Sequence, residues 1–360
     1  MTLRVALVGG PMYDGLYGLL ADDVAAGAVE IAVHADHPTL NREVAGRLAA
    51  GERLDVVSTH GKYAPSQAAW LQPLDELLSS DVVDALAPRA VELCRFDGAL
   101  LCAPRNIDVR VLWWRTDLLE AAPASWAEVE ASGGSFGFTG RESGLFGLFY
   151  ELMAGAGAPL FDADLRPTLT GPAAVAAVEL LQRLAARAPA DLPGWHYDDV
   201  DEALLDGRVA MAAAWPGGYD RIRQSPRYPD LAPAAYPGGR SYAGSHAWAI
   251  PSTCGDLPGA VALVERLCSA EAGAREAAAG GVPAHLGALA GHAPVDATDE
   301  MRWNVTRATI DGAMLTYPPL VRFPEIEDAG WGAIHDALEG RITAADAVQR
   351  MQAAAEALLG

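Results

Sequence analysis

A hairpin followed by a strand, about a third of the way along the chain, constrains the fold more than any other feature. Asp97-Gly98 predicts a tight hairpin turn between two short apolar strands. Pro104 ends the hairpin, and residues 109–114 combine the β-branched and aromatic side chains that favour a strand. Thr116 is placed to cap a helix that follows at once. This order is typical of a chain that leaves one lobe and enters a second.

Strand and helix patterns alternate from the first residues onward. Residues 5–8, 29–35 and 54–58 are predicted strands, and residues 15–26 and 40–50 are predicted helices. Such alternation predicts βαβ units, and therefore a mainly parallel sheet that is flanked by helices.

The same patterns continue through the rest of the chain. Further strands are predicted at residues 136–138, 208–214 and 246–250. Further helices are predicted at residues 70–78, 81–93, 145–154, 172–187, 199–205, 258–269 and 270–279. Thr343 and Asp346 form an acidic variant of a capping box, which predicts a last helix that runs to residue 359.

Length and charge limit the classes of function. The 360 residues are enough for two domains of ~100–200 residues each, and the apolar fraction of 51% allows a sizeable core. The 47 acidic residues outnumber the 26 basic ones, and the net charge of −21 argues against nucleic acid or an anionic membrane surface as a partner. No stretch reaches the ~20 apolar residues of a membrane helix.

The N-terminal segment and two cysteines bear on the cellular compartment. The short apolar run that ends at Gly9-Gly10 predicts a first strand rather than a secretory leader. We therefore expect either an extracytoplasmic protein whose leader was removed or a cytoplasmic protein. Cys94 and Cys102 flank the hairpin turn, and both a disulfide and two buried free thiols fit this spacing.

No set of residues has the spacing of a catalytic or metal site. The Gly-x-Ser-x-Gly string at residues 133–137 lacks the preceding strand that a nucleophile elbow needs. The cysteines form no Cys-x-x-Cys pair, and His34 and His37 lack a helical or cysteine context for a metal. We therefore predict a protein that is not an enzyme and that needs no metal or cofactor.

Aromatic and polar side chains lie together in loops at the ends of predicted strands. Tyr13 and Asp14 follow the first strand, residues 58–63 and 215–219 follow two others, and residues 244–248 enter a later one. An aromatic ring can cover the flat C–H face of a sugar, and neighbouring polar groups can bond to its hydroxyls. The four loops together favour a sugar site, while each ring taken alone is also compatible with a core position.

The order of several short motifs resembles the extracellular solute-binding protein family 1, the carbohydrate receptors of ABC importers. The motifs are the strand with Asp55-Val56, the Asp97-Gly98 hairpin with Pro104, residues 111–119, Ser125-Trp126, residues 207–211 with Trp215, residues 246–251 and residues 281–283. Each motif alone is weakly specific. Their order, which extends over most of the chain, carries the resemblance.

The resemblance implies an α/β fold with two lobes, each a mainly parallel sheet flanked by helices, joined by a hinge as in periplasmic binding proteins. Lobe 1 would comprise residues 1–108 with 246–300, and lobe 2 residues 109–245 with 301–360. A ligand cleft would lie between them. The family's motifs imply ligand contacts from Tyr13, Asp14, His60, Arg105, Asn106, Asp108, Trp215, Gly217, Tyr219 and His246.

The function that the resemblance implies is a receptor that captures a sugar or sugar derivative and delivers it to the permease of an ABC importer. Its partners are then the ligand and the membrane permease, and the protein acts as a monomer. If both Arg105 and Arg110 face the cleft, an anionic sugar is expected. Two alternatives stay open: a receptor for a polyamine or an organic anion, and an enzyme on a two-lobed α/β scaffold.

Overall fold

Two hydrophobic clusters, each built around its own β-sheet, organise the molecule. The computed structural model describes residues 1–10 and 13–360, apart from the side chain of Pro38. One cluster takes its buried residues from 3–107 and 247–284, and the other from 111–236 and 320–355. We call the parts around them lobe 1 and lobe 2. The two-lobed α/β fold is thereby confirmed, while the lobe boundaries given above stay a prediction.

The elements follow one another in the alternating order that the sequence predicts. The strands are β1 (Leu3–Val8), β2 (Val29–Ala35), β3 (Val56–His60), β4 (Arg95–Phe96), β5 (Ala99–Leu100), β6 (Ala103–Pro104), β7 (Val111–Arg115), β8 (Phe136–Gly137), β9 (Met211–Ala214), β10 (Leu231–Ala234), β11 (Ser241–Tyr242), β12 (His246–Ala249) and β13 (Met314–Leu315). The α-helices are α1 (Ala21–Ala25), α2 (His37–Ala49), α3 (Ala64–Gln67), α4 (Ser80–Asp84), α5 (Pro88–Leu93), α6 (Trp126–Ala131), α7 (Glu142–Gly155), α8 (Pro172–Ala185), α9 (Tyr197–Leu205), α10 (Tyr219–Gln224), α11 (Leu257–Leu267), α12 (Ala270–Ala278), α13 (Leu286–Gly291), α14 (Ala297–Gly312), α15 (Phe323–Leu338) and α16 (Ala344–Leu359).

Both sheets are mixed. Lobe 1 has the strand order β2-β1-β3-β12-β6, and lobe 2 has the order β10-β7-β9-β8. Parallel pairing joins β1 to β2 and β3, and β8 to β9. Antiparallel pairing joins β12 to β3 and β6, and β7 to β9 and β10. The prediction of mainly parallel sheets is therefore wrong for lobe 2 and incomplete for lobe 1. The reason is that β7 and β12 enter their sheets directly from lobe crossings, where no crossover helix sets the strand direction.

The hairpin turn and the last helix are confirmed. Asp97 and Gly98 have φ angles of 47° and 84°, and β4 pairs antiparallel with β5. These positive φ angles are those of the turn that a two-residue hairpin favours. The Thr343 hydroxyl accepts from the backbone N–H of Asp346, whose carboxylate accepts from the backbone of Thr343 at the start of α16.

Two predicted helices are interrupted. Residues 15–26 begin as a 3-10 helix, Asp14–Leu20, which precedes the short α1. The predicted helix over residues 81–93 is split into α4 and α5, because Pro88 has no N–H to continue α4 and instead starts α5.

Two other predicted helices are absent at the positions expected. Gln72 donates its backbone N–H to Ile250 at 2.9 Å, and Leu74 donates to Leu100 at 2.8 Å, so residues 71–78 are drawn into contacts with other strands. Thr116 donates both its N–H and its hydroxyl to the carbonyl of Asp230, and residues 116–118 form a turn that follows β7. Each segment is limited to a single turn, with a bond from the Leu78 N–H to Leu74 or from the Leu119 N–H to Arg115, and no helix continues from it.

The chain crosses between the lobes along segments that lie side by side. β11 pairs parallel with β13, and Asp108 forms an isolated bridge with Gly244. Arg110 forms an ion pair with Glu151 of α7, and the two side chains are only 2% and 0% exposed. The other carboxylate oxygen of Glu151 accepts from the backbone N–H of Tyr242 at 2.9 Å. This buried pair therefore joins two crossing segments to α7.

All four cysteines are free thiols, three of them buried. The structure thus corresponds to the free-thiol alternative. Within residues 1–10 and 13–360, no helix has both the length and the apolar character that crossing a membrane requires.

Candidate ligand-binding site

A cavity of about 160 Å³ lies between the two lobes and is lined from both. On the lobe 1 side it is reached by the ends of β1, β3 and β6, the start of β12, and α12. On the lobe 2 side it is reached by the starts of α7 and α9 and by the loop after β9. Loops at one edge of a sheet, facing another lobe, are where open α/β folds bind ligands.

Eight of the ten residues singled out from the sequence line this cavity. They are Tyr13, His60, Arg105, Asn106, Asp108, Trp215, Gly217 and His246. The other two do not. Asp14 is half exposed and accepts from the backbone N–H of Gly10. Tyr219 is buried elsewhere, stacked on Trp113 with ring centroids 6.1 Å apart.

The antiparallel register of β3 and β12 brings the rings of His60 and His246 into edge-to-face contact. These two residues are direct partners in the ladder, and their ring centroids lie 5.1 Å apart. His37, from the start of α2, lies 5.7 Å from the ring of His60 and 5.2 Å from that of His246. We call these three residues the histidine wall.

The histidine wall is uncharged at neutral pH. Burial, together with the nearby cations Lys62 and Arg105, lowers the pKa of each ring, and for His37 it reaches about 3. His60 Nδ1 accepts from the backbone N–H of Lys62 at 3.2 Å, so the neutral ring carries its proton on Nε2. His37 Nε2 and His246 Nδ1 are buried without a hydrogen-bond partner.

A buried acidic pair adjoins the histidine wall. The Asn106 amide donates to Asp108 at 3.1 Å and to Glu276 at 3.0 Å, and its carbonyl accepts from the backbone N–H of His246. Burial, followed by the nearby Glu276 carboxylate, raises the pKa of Asp108 to about 7. Asn106 thus holds two buried carboxyl groups together.

Arg105 balances part of this negative charge. Its Nε lies 3.0 Å from Glu276 Oε2, but the N–H does not point at that oxygen, so the contact is an ion pair without a hydrogen bond. Arg105 Nη1 also has no hydrogen-bond partner, and the guanidinium lies 5.3 Å from the centre of the Tyr13 ring. Donors and an acceptor are therefore buried here without partners.

Lobe 2 contributes an aromatic wall, which we define as Tyr197, Trp215 and Tyr242. The Trp215 ring lies 5.1 Å from that of Tyr242 and 6.2 Å from that of Tyr197, in edge-to-face geometry. The hydroxyls of Tyr197 and Ser143 lie 2.8 Å apart. A Cβ at Gly144 would stand 2.8 Å from Tyr197, so this close packing requires glycine.

Arg110, the second arginine considered from the sequence, does not line the cavity. It is paired with Glu151, and its guanidinium lies 5.0–5.5 Å from the rings of Trp215, Tyr236 and Tyr242. It therefore supports the aromatic wall from behind, and the condition that both arginines face the cleft is not met.

One group of described residues could hold a metal ion. His60, Asp108 and His246 each offer a donor atom, and these atoms lie within 4.8 Å of one another. The hydrogen bond from Lys62 to His60 Nδ1 leaves a proton on Nε2, so this ring presents a hydrogen-bond donor rather than a metal ligand as arranged.

The sequence alone did not reveal the remaining lining residues. They are Gly9, Gly10, Asp36, His37, Lys62, Ser143, His196, Tyr197, Asp198, Tyr242 and Glu276. Lys62 belongs to a loop that was noted for its aromatic and polar content, and this signal could have found it. Glu276 lies in a regular helical pattern that carries no such signal.

The model of the family described as bacterial extracellular solute-binding protein matches residues 25–302. Among solved structures, maltose-bound MalE3 of T. maritima has a TM-score of 0.88 at 21% identity and covers 99% of each chain.

Two further structures are similar over almost their whole length. An ABC transporter solute-binding protein from Agrobacterium radiobacter K84 in complex with ribitol has a TM-score of 0.88 at 18% identity, covering 99% of this chain and 98% of that one. One from Thermotoga lettingae TMO bound with α-D-tagatose has a TM-score of 0.85 at 20% identity, covering 100% of both chains. At these identities the likeness concerns the fold.

Proposed function

Because this chain belongs to the bacterial extracellular solute-binding protein family, we propose that its cleft captures a neutral sugar or polyol for the permease of an ABC importer. The observation that carries the proposal is a set of buried polar atoms without partners in a cavity that also has aromatic walls. The proposal is also that the protein acts outside the cytoplasm, that it is a monomer and that it catalyses no reaction.

The unpartnered atoms call for a ligand that both donates and accepts hydrogen bonds. Arg105 Nη1 offers a donor, and the neutral rings of His37 and His246 offer one unpartnered nitrogen each. Glu276 Oε2 makes an ion pair with Arg105 but no hydrogen bond, so it can still accept one. A buried polar group without a partner costs about 1–3 kcal/mol, which a suitable ligand removes. A hydroxyl can serve either role, and a polyol supplies several within a few ångströms.

The aromatic rings suit the other surface of a sugar. Tyr13 on lobe 1 and the aromatic wall of lobe 2 line the same cavity. Ring faces cover C–H groups, while the polar atoms around them bond to hydroxyls. Related structures point the same way, since similar proteins are described with maltose, ribitol and tagatose.

Charge favours a neutral ligand over the ionic alternatives. Arg105 is balanced by Glu276, and Lys62 lies 2.9 Å from Glu327. The cavity is lined by four acidic residues, Asp36, Asp108, Asp198 and Glu276, and by the cations Lys62 and Arg105. An anion would face the acidic groups and a polyamine the two cations, so either ion would face a like charge. An anionic sugar is further disfavoured because Arg110 lies behind the aromatic wall.

Capture would proceed by closure about the crossing segments. Lobe 1, with Arg105 and the histidine wall, would hold the ligand, and rotation of lobe 2 would bring the aromatic wall onto it. The ligand can drive this only through contacts that form in the closed state. The division into residues 1–108 with 246–300 and 109–245 with 301–360 is part of this proposal.

The test is direct ligand identification. Protein purified from its host is denatured, and mass spectrometry identifies any small molecule that is released. Isothermal titration with that compound, and with a panel of neutral sugars and polyols, is expected to give saturable binding at one site per chain. Chemical conversion of the bound compound would favour the enzyme alternative, and selective binding of organic anions or polyamines would favour the other.

A further inference from the structure

We propose that the cleft accepts one sugar ring, or an open-chain polyol of similar size, and that the histidine wall excludes a second glycosidic unit. The inference rests on the proposed function and adds the size class of its ligand. Similarity of fold does not supply this, because similar structures are described with both the disaccharide maltose and the monosaccharide tagatose.

The volume sets the first limit. The cavity of about 160 Å³ is close to the roughly 150 Å³ of an engineered apolar cavity that holds one benzene ring. One ring with its hydroxyls approaches this capacity, and a second ring would have to lie outside this volume.

The histidine wall blocks extension on the lobe 1 side. Its three rings make mutual edge-to-face contacts with centroids 5.1–5.7 Å apart, which leaves no gap between them. Tyr63 lies behind, with its ring 5.3 Å from that of His37 and 6.0 Å from that of His60. The Tyr63 hydroxyl donates to the buried Glu327, so protein rather than solvent lies beyond the wall.

The aromatic wall blocks extension on the opposite side. The Tyr242 ring packs so tightly on α7 that a Cβ at Gly147 would stand 2.0 Å from it. The Tyr242 ring also lies 5.2 Å from that of Tyr317, and Arg110 fills the space behind. The two walls are fixed by different elements, so ligand length is limited along the direction that joins them.

The wall also offers hydrogen bonds suited to the end of a polyol. His37 Nε2 and His246 Nδ1 have no protein partner, and His60 carries its proton on Nε2. Terminal hydroxyls that meet these nitrogens would satisfy them. A glycosidic oxygen at the same place has no proton to donate and carries a further ring that the wall cannot accommodate.

Matched pairs of ligands test the limit. Isothermal titration is carried out with two monosaccharide–disaccharide pairs, glucose with maltose and xylose with xylobiose. The alditols ribitol and sorbitol are titrated as well. We expect at least one monosaccharide or alditol to bind with a Kd at least ~tenfold lower than any disaccharide. A disaccharide that binds as tightly as its monosaccharide overturns the size limit and leaves the sugar receptor intact. If no monosaccharide, alditol or disaccharide binds, the proposed function is overturned, and the size limit with it.

A change in the wall tests its role. His37→Ala is expected to shift the ratio of disaccharide to monosaccharide affinity at least ~tenfold toward the disaccharide. His34→Ala is the matched control, because His34 lies three residues away with its side chain 46% exposed, and it should leave the ratio unchanged. If His37→Ala does not fold, His37→Asn removes fewer atoms and keeps a polar side chain. An unchanged ratio in a folded variant overturns the assignment of the limit to the wall.

Discussion

Lys62 Nζ lies 2.9 Å from Glu327 Oε1 and joins the loop after β3 in lobe 1 to α15 in lobe 2. The two side chains are only 7% and 2% exposed. The Tyr63 hydroxyl donates to the second oxygen of Glu327 at 2.9 Å, and the Lys62 ammonium lies 4.7 Å from the Tyr63 ring. Since both charges are removed from water, each is stable in its buried position only while the other is present.

Removal of one partner is expected to be costly. Lys62→Met should lower the free energy of unfolding by roughly 3–5 kcal/mol, because Glu327 would stay buried without a counter-charge. Lys62→Met/Glu327→Gln should recover much of that loss, since no buried charge remains. Urea unfolding measures both.

An exposed ion pair serves as the control for this experiment. Arg89 and Glu92 are paired with side chains 59% and 72% exposed, so Arg89→Met should change the free energy of unfolding by less than ~0.5 kcal/mol. If the double variant is no more stable than Lys62→Met, the conclusion that each buried charge requires the other is wrong.

Asp108 is expected to make stability fall as pH rises. Its pKa is about 7 in the folded protein and ~3.9 in an unfolded chain, so between these values the folded state binds more protons. The stabilisation is complete below pH ~4 and is lost as pH approaches 7. The buried histidines act in the opposite direction, because their pKa values are lowered on folding.

Substitution isolates the contribution of Asp108. The stability of Asp108→Asn relative to wild type should rise with pH by up to ~1.4 kcal/mol for each pH unit between 4 and 7. Urea unfolding at pH 4.5, 5.5, 6.5 and 8 measures this difference. A difference that is constant across this range would show that Asp108 titrates as an ordinary carboxyl group.

Two glycines of α7 allow a test of the aromatic wall. A Cβ at Gly147 would lie 2.0 Å from Tyr242, whereas one at Gly155 would have no neighbour within 4 Å. Gly147→Ala should therefore displace Tyr242 and weaken ligand binding at least ~tenfold, about 1.4 kcal/mol. Gly155→Ala should leave affinity unchanged and leave the helix as stable or up to ~1 kcal/mol more stable. Equal affinities of the two variants would exclude Tyr242 from the site.

Arg105 is expected to contribute directly to affinity. Hydrogen bonds to charged groups are worth about 1.5–3 kcal/mol, so Arg105→Met should raise Kd by roughly 10- to 100-fold. Arg350→Met is a suitable control, because Arg350 is 53% exposed and pairs with Asp336 on the surface of lobe 2. Isothermal titration of the ligand identified by mass spectrometry provides the measurement, and an unchanged Kd for Arg105→Met would remove Arg105 from the set of ligand contacts.

Features that depend on neighbouring residues were predictable. Asp97-Gly98 adopts its turn because both residues tolerate positive φ, and the Thr343 cap forms within four residues. The prediction failed where a distant partner decides the local structure. Leu74 is tied to Leu100, and Thr116 is tied to Asp230 across 114 residues, so neither segment is helical.

The residues of the candidate site fall into the same two groups, those marked by their local sequence and those placed by distant contacts. Trp215 and Tyr13 stand in loops directly after strands, and this placement marks them in the sequence. Glu276 sits inside α12 among alanines, and only the approach of Arg105 and Asn106 makes it part of the cavity. Tyr242 lies in a crossing segment whose partner, β13, is more than seventy residues away.

The sequence by itself determined the two-lobed α/β class, the crossing after Pro104 and half of the lobe 1 residues that line the cavity, because strand patterns, turns and motif order can be read along the chain. Tertiary structure decided the mixed direction of the sheets, the pairing of His60 with His246 and the burial of Lys62 against Glu327. These depend on strand register and on contacts between lobes. Strand register and contacts between the lobes bring together residues up to 265 positions apart. No local sequence pattern indicates which of these residues will be neighbours.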